Sequence, residues 1–504
     1  MLSATHRAAL LPKRCLRRKS RAEQASHEFT FLGSPIKSVQ SGFRGGMVIG
    51  MDKHLTHAQR VGATSSPEER RKVGLSLRQR VPRSAQAEWT APANRVDPVA
   101  ILIEQGRNRI QELLPVRYAR MKADPFAFLR GAAAIMAIDL EKTPSAGIRL
   151  QACGDAHLAN FGTYATPEGT PVFDINDFDE TLPAPFEWDV KRLAASLVVA
   201  GRVAQSSKKE CMALARTAAR AYREHMAELA PLPPLVAWSR CIDLAEAIAH
   251  IDSAELRDKL KGRLAKIVQS GAKQFGLVEE RNGAFRIREK LPLVRHLDKH
   301  ELRAREALSS YAGTLQEDRR VLLQRYALQD VAFKAVGVGS VGTFCAIALL
   351  VSGGGAPLLL QIKEAQQSVL APSAGASEYA NHGQRVVVGQ RILQAATDVF
   401  LGWTQKPIQE RHFYVRRLKD SRLADIGTRL EVALPFYAEL CGRTLARAHA
   451  RAGDAAVVAG YMGSGTAFDE AIGEFAMTYA DQTDRDWKAF LTAIEAGRIV
   501  AEEP

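Results

Sequence analysis

Apolar residues first recur at helical spacing near Pro98, through Ile101, Ile103, Ile110 and Leu114. A second helix is expected from Pro125, with Phe128, Ala132 and Met136 on one face. The stretch 52–100 is polar and punctuated by Pro67, Pro82, Pro92 and Pro98, so ordered structure is expected to begin only at its end. Between 148 and 180 the pattern becomes that of short strands and tight loops: IRLQAC, GDAHLANFG, a turn at 167–169, then PVFDIND. A helix is expected from Glu187. Val190, Leu193, Ala194 and Leu197 face its core side, and Glu187 and Asp189 lie at its N-terminal end, where the helix dipole favours negative charge.

Residues 208–330 read as mainly helical and highly charged, with a hairpin around Asn282-Gly283. The texture then changes. Residues 329–364 hold two or three β-like runs, separated by a glycine loop and a GGGAP turn. Helical periodicity returns at 384–400, FYVRRL at 413–418 is strand-like, and a helix carries Tyr437, Leu440, Cys441, Thr444, Leu445 and Ala448 on one stripe. The sum is an α+β, helix-dominated chain. Its expected regions are a basic tail at 1–60, a helical region with the reactive loop at 61–235, a charged helical insertion at 236–328, a sheet-rich part at 329–420 and further helices at 421–504.

Composition narrows the classes. With 46% hydrophobic and 25% charged residues the chain has the balance of a globular protein, and no run of ~18 apolar residues suggests a membrane span. Of the net charge of +14, half falls on residues 1–50, where nine Lys/Arg face only Glu23 and Glu28. The basic character is largely a tail property, so a nucleic-acid partner is disfavoured. That tail lacks a secretory pattern and reads as disordered or as a mis-assigned start, with Met47 and Met51 as alternatives. Six scattered cysteines form no CxxC pair, which points away from metal clusters and disulfide frameworks and toward a cytoplasmic setting.

The densest chemistry lies in Asp155-Ala-His157-Leu-Ala-Asn160, followed by Asp174, Asp177 and Asp179 at the end of the run VFDINDFDE. Phosphoryl transfer needs an acceptor for the substrate hydroxyl proton, ligands for Mg²⁺ and positive groups over the phosphates. Asp155 and Asn160 have the five-residue separation of a kinase catalytic loop, and Asp177-Phe178-Asp179 closes a short apolar strand as a DFG motif does. Four acids within seven residues (Asp174, Asp177, Asp179, Glu180) repel one another unless a cation or basic partners neutralise them. His157 stands beside them as a metal ligand, a phosphate contact or a loop-ordering hydrogen bonder.

The second constellation is Gly337, Gly339, Ser340, Gly342 and Thr343, followed by a strand, a turn and a second strand bearing Lys363. A dinucleotide site requires a helix straight after the glycines. Here the run FCAIALLV ends in a turn too early for one, so the order is that of a phosphate loop and its lysine. Glu364 should point to the opposite face, and Glu378 is the remaining candidate partner for Lys363. His449 and Asp454 in LARAHARAGD have an HxxxxD spacing but sit where a helix should end.

Taken together, CGDAHLAN, VFDINDFD, FEWDVKRLA and GRTLARAHA resemble the aminoglycoside phosphotransferase and choline kinase branch of the kinase-like fold. The resemblance implies a base at Asp155, Mg²⁺ ligands at Asn160 and Asp177 (or Asp174, with Asp179 nearby) and a structural role for Asp189. The strings YARM, PFAFLRGAA, CGDAHLANFG, FDINDFDETLP, EWDVKRLAAS, VGVGSVGT, LQIKEA and LARAHARAGD resemble a bacterial family of unknown function, DUF2252, over roughly residues 65–490. There are two departures from the kinase pattern. Cys153 stands where a His is usual, and the catalytic segment precedes the glycine loop by about 180 residues.

The reading is therefore a two-lobed, protein-kinase-like fold, circularly permuted, using ATP and Mg²⁺ on an unidentified hydroxyl-bearing substrate. Two alternatives stand beside it: a nucleotide-binding pseudokinase or scaffold, and a metal-dependent phosphoesterase that has no use for Lys363.

Overall fold

The computed structural model describes residues 65–502, apart from 250, 252, 256, 263–275, 282, 292–293, 297, 335–340 and 419–433. The basic segment 1–60 lies outside the described residues, as do Gly337, Gly339 and Ser340 of the glycine loop.

The helices that matter for the site are α1 (Pro67–Leu77), α2 (Leu114–Lys122), α3 (Pro125–Gly131), α4 (Phe186–Val203), α5 (Lys208–Leu229), α6 (Asp298–Tyr311), α7 (His382–Leu393), α8 (Leu434–Ala452), α9 (Ala455–Met462) and α10 (Ala467–Glu495). The architecture is α+β and helix-dominated. Among the described residues no helix is long and apolar enough to cross a membrane. The largest core lies between α4, α5, α8, α9 and α10, where Leu193, Leu197, Tyr222, Leu445 and Ile472 are buried together. Nearly every residue of α4 is buried, its charged Glu187, Asp189, Lys191 and Arg192 included.

Order begins before Pro98, against the expectation from periodicity. Ser66 accepts a hydrogen bond from Glu69 N at 3.2 Å, while Glu69 accepts one from Ser66 N at 2.7 Å, a capping box that starts α1. The helix carries no apolar stripe because it docks through backbone. A Cβ on Gly74 would lie 2.0 Å from Val457 O, and one on Gly460 would lie 2.2 Å from Arg71 O. The two glycines let α1 and α9 touch.

The sheet-rich stretch forms six antiparallel strands, β8 (Val294–Arg295), β9 (Tyr326–Lys334), β10 (Cys345–Ser352), β11 (Pro357–Ala365), β12 (Gly402–Trp403) and β13 (His412–Arg417), in the order β12-β13-β11-β10-β9-β8. The period-two alternation is clean in β10. Ala346, Ala348 and Leu350 enter one core with Tyr311 of α6, and Ile347, Leu349 and Val351 enter another with Leu277 and Ile287. The expected hairpin is present as Val278–Arg281 paired with Ala284–Ile287.

The reactive segment lies between two smaller sheets. Strands β1 (Arg149–Ala152) and β4 (Leu182–Pro185) form a ribbon, and β2 (Phe161–Ala165), β3 (Pro171–Ile175) and β5 (Ile242–Asp243) form a three-stranded sheet. Helix α7 stops at Leu393, short of the expected 400. Gln394 Nε2 donates to Ile175 O at 3.0 Å and Ala395 N to Asp174 Oδ2 at 2.8 Å, so the end of β3 draws the chain out of the helix.

Gly460→Ala is expected to push α1 off α9 and lower stability by ~1–3 kcal/mol in urea unfolding. Gly465→Ala, where nothing lies within 4 Å of an added Cβ, is expected to change it by less than ~0.5 kcal/mol. Equal effects at the two positions would remove the close approach as the reason that α1 is ordered.

Candidate functional site

The loop 153–160 leaves β1 and is held from α4. Asp189 accepts Cys153 N at 2.7 Å and Gly154 N at 3.0 Å, and His449 Nε2 lies 3.0 Å from its Oδ2. The other ring nitrogen of His449 meets Tyr222 Oη at 2.9 Å, so the histidine braces Asp189 from α8. Asp454 caps α9 instead, accepting Ala456 N at 3.0 Å, which makes the HxxxxD spacing a helix end. Gly154 adopts φ +86°, and a Cβ there would meet Glu180 O at 2.4 Å. Only glycine fits beneath the loop.

One turn beyond Asp189, Arg192 donates Nε at 2.9 Å and Nη2 at 2.7 Å to Asp155 Oδ1. Oδ2 stands 3.7 Å from His157 Nε2, beyond hydrogen-bonding reach. Asn160 Nδ2 donates to the Asp155 carbonyl at 2.8 Å, fixing the two ends of the DxxxxN segment against each other. His157 is buried against Phe126, with Nδ1 lacking a partner among the described residues. Burial pushes its pKa down to about 3, with Arg192 and Arg130 adding to the effect of burial and Asp155 opposing it.

The acid strand end meets the six-stranded sheet at Lys363. In β11 and β13, Lys363 is opposite Tyr414 in register, and both face the acids. Lys363 Nζ lies 2.6 Å from Asp179 Oδ2 and 3.7 Å from Asp177 Oδ1, and Tyr414 Oη donates to Asp179 Oδ1 at 2.6 Å. Burial alone would depress the Lys363 ammonium, but Asp177 and Asp179 outweigh it and hold the pKa well above its usual range. Arg385 fastens the turn by donating to the carbonyls of Asp179 at 2.7 Å, Thr181 at 2.7 Å and Gln366 at 2.8 Å. Glu364, on the opposite face, is taken by Arg411 at 2.7 and 2.8 Å and by Phe344 N at 3.1 Å. Glu378 is exposed, so the partners of Lys363 are aspartates from the reactive segment.

A cleft of about 720 Å³ is lined by Asp155, His157, Asn160, Asp177, Asp179, Glu180 and Thr343. The described end of the glycine loop is tied to it, since Ile110 N donates to Gly342 O at 2.7 Å and Arg109 Nη1 to Val341 O at 2.6 Å. Asp174 is not brought to the cleft. It is fully buried, paired with Arg447, and also accepts Ile175 N at 2.8 Å and Ala395 N at 2.8 Å. It anchors β3 and the end of α7.

Sequence reasoning missed Arg192, whose spacing of three from Asp189 on one helix was the available signal. It also missed Tyr414 and the cleft-lining arginines 109, 117 and 130, which no local pattern marks, and Glu180 was read only as one of the four clustered acids. Burial raises the Glu180 pKa to about 7, with Arg385 opposing.

A family model described as an uncharacterized protein conserved in bacteria, DUF2252, matches residues 109–493. The chain belongs to the DUF2252 family. The DUF2252 match takes in every cleft residue from Arg109 to Thr343, and Lys363 as well. Neither a comparison with curated proteins nor one with solved structures finds a match.

The donor set suits a hard cation. With its Nδ2 engaged, Asn160 has Oδ1 to offer. Asp177 is a third exposed, and its contacts are long: 3.4 Å to Asp179 N and 3.7 Å to Lys363 Nζ. Mg²⁺ typically takes one or two carboxylates plus substrate phosphates and water. Among the described residues no three His, Cys, Asp or Glu side chains gather into a complete metal cage.

Because the unfolded chain takes up a proton on His157 near pH 6.5 and the folded chain only near 3, the unfolded state binds more protons between those values. This residue therefore makes stability fall as pH drops from about 6.5 toward 3. Nitrogen-15 NMR of the ring at pH 5 is expected to show neutral His157, and His157→Gln should flatten the acid side of the stability profile. A protonated ring at pH 5 would contradict the burial assigned to it.

Proposed function

We propose that this DUF2252 protein is an ATP- and Mg²⁺-dependent phosphotransferase acting on a hydroxyl group, with kinase-like parts joined in permuted order. The observation that carries the reading is the meeting of Lys363 with Asp177 and Asp179 at a cleft shared by Asp155, Asn160 and Thr343. Thr343 at the end of the glycine loop, the acid strand end and the DxxxxN loop line one cavity, and Lys363 is bonded to acids of its wall, although the chain order is the reverse of a kinase.

In this reading Lys363 and Thr343 would hold the ATP phosphates. Asn160 Oδ1 and Asp177 would hold Mg²⁺, which would supply positive charge to the phosphoryl group. Asp179 keeps Lys363 charged and aimed. Asp155 accepts the hydrogen of the attacking hydroxyl through Oδ2, since both guanidinium bonds from Arg192 fall on Oδ1. This suffices to orient the nucleophile for a loose transition state in which proton transfer is late. The pseudokinase alternative draws on the lysine's lack of a Glu partner. Nothing in the donor geometry favours the phosphoesterase alternative.

Thermal unfolding with Mg²⁺-ATP at one hundred times Kd is expected to show a gain of ~2.7 kcal/mol for the wild type. Asp177→Ala and Lys363→Ala should each lose most of it. No gain in the wild type would overturn both the phosphotransferase and the pseudokinase readings. Asp155→Asn should retain the ATP-dependent gain while turnover falls by about 10²–10⁴-fold. Full turnover in that variant would remove Asp155 from its role.

A further inference from the structure

The same cleft is lined by three arginines, Arg109 just after the helix Pro98–Gly106, Arg117 on α2 and Arg130 on α3. Arg117 is 1% exposed. Its Nη2 donates to the neutral Gly131 carbonyl at 2.8 Å, while Nε and Nη1 lack partners among the described residues. Arg130 has an unpartnered Nε and lies over the Phe126 ring at 5.9 Å.

The charge pattern is lopsided. Three carboxylates of the cleft have close basic partners: Asp155 has Arg192, Asp179 has Lys363 and Glu364 has Arg411. Arg117 has no carboxylate partner among the described residues, and burial, with Arg109 adding to it and Tyr118 opposing, pushes its pKa down to about 9. A buried guanidinium without a counter-ion is costly, and an anion that enters the cavity removes the cost. Arg130 feels Asp155, and Arg117 is bonded to the carbonyl of the residue next to Arg130, so the two stand together near the carboxylate assigned to the acceptor hydroxyl.

We infer that Arg117 and Arg130 form an oxyanion-binding subsite for the phosphoryl acceptor, so that the substrate is an anionic alcohol, a phosphate monoester or carboxylate bearing a free hydroxyl. The inference rests on the phosphotransferase reading and deepens it. It excludes cationic amino alcohols, because an ammonium group would face two arginines across a poorly solvated cavity. Guanidinium groups suit phosphate and carboxylate because their planar donors match both oxygens at once.

The test uses inorganic phosphate as a probe, titrated by calorimetry against the full chain with and without saturating Mg²⁺ and a non-hydrolysable ATP analogue. Phosphate is expected to bind in both conditions, and Arg130→Gln should weaken it by at least about ten-fold, the worth of one charged hydrogen bond. Arg117→Lys keeps the buried charge, guards against a misfolded variant and should weaken it as well. A cooperative thermal transition confirms that each variant is folded. Competition between phosphate and the analogue would assign the arginines to ATP and overturn the inference, as would unchanged affinity in both variants. Failure of the analogue to bind the wild type would instead overturn the phosphotransferase reading, with the phosphate titration still reporting on the subsite. A second arm measures ADP release with a sugar phosphate, a hydroxy acid, a neutral sugar and an amino sugar. The inference predicts turnover with one of the first two, which also tells phosphate from carboxylate. Preference for the amino sugar would overturn it.

Discussion

A buried ammonium must be neutralised where it stands, and Lys363 is neutralised by carboxylates that lie 184 residues earlier in the chain. That pairing fastens the six-stranded sheet to Asp177 and Asp179, which line the cleft. The contact is backed on each side. Tyr414 takes the second oxygen of Asp179, and Arg385 collects three carbonyls from the two segments that meet there. Removing either charge would leave the other uncompensated in a poorly solvated place, so position and electrostatics are locked together.

Helix α4 does for the reactive loop what Lys363 does for the sheet. Its first turns present Asp189 to the backbone of the loop and Arg192 to the side chain of Asp155, from one face of one helix. The helix can carry these charges through the core because each has a partner there. The loop therefore has little freedom, and a cleft lined by such a loop is pre-organised.

How much of this could be read along the chain differs by element. Period-two alternation in β10 and the stripe through Tyr437 and Leu445 reported their own structure, since burial on one face imposes a local pattern. Helix α1 left no such mark, because it docks by backbone approach at Gly74 and Gly460. The end of α7 was equally hidden, for Asp174 captures Ala395 from another strand.

The sequence by itself determined the class of the fold, the loop DxxxxN, the acid strand end and the placement of Lys363 and Glu364 on opposite faces of a strand. These follow from spacing, and spacing is a property of neighbours. Tertiary structure alone decided which acid does what. Asp174, Asp177 and Asp179 are equivalent in the sequence, yet one is enclosed by Arg447, one is saturated by Lys363 and Tyr414, and Asp177 remains the most exposed with the longest contacts. It also decided that Arg109, Arg117 and Arg130 line the same cleft. Charge compensation acts through space between residues far apart in the chain, and a linear pattern carries no record of it.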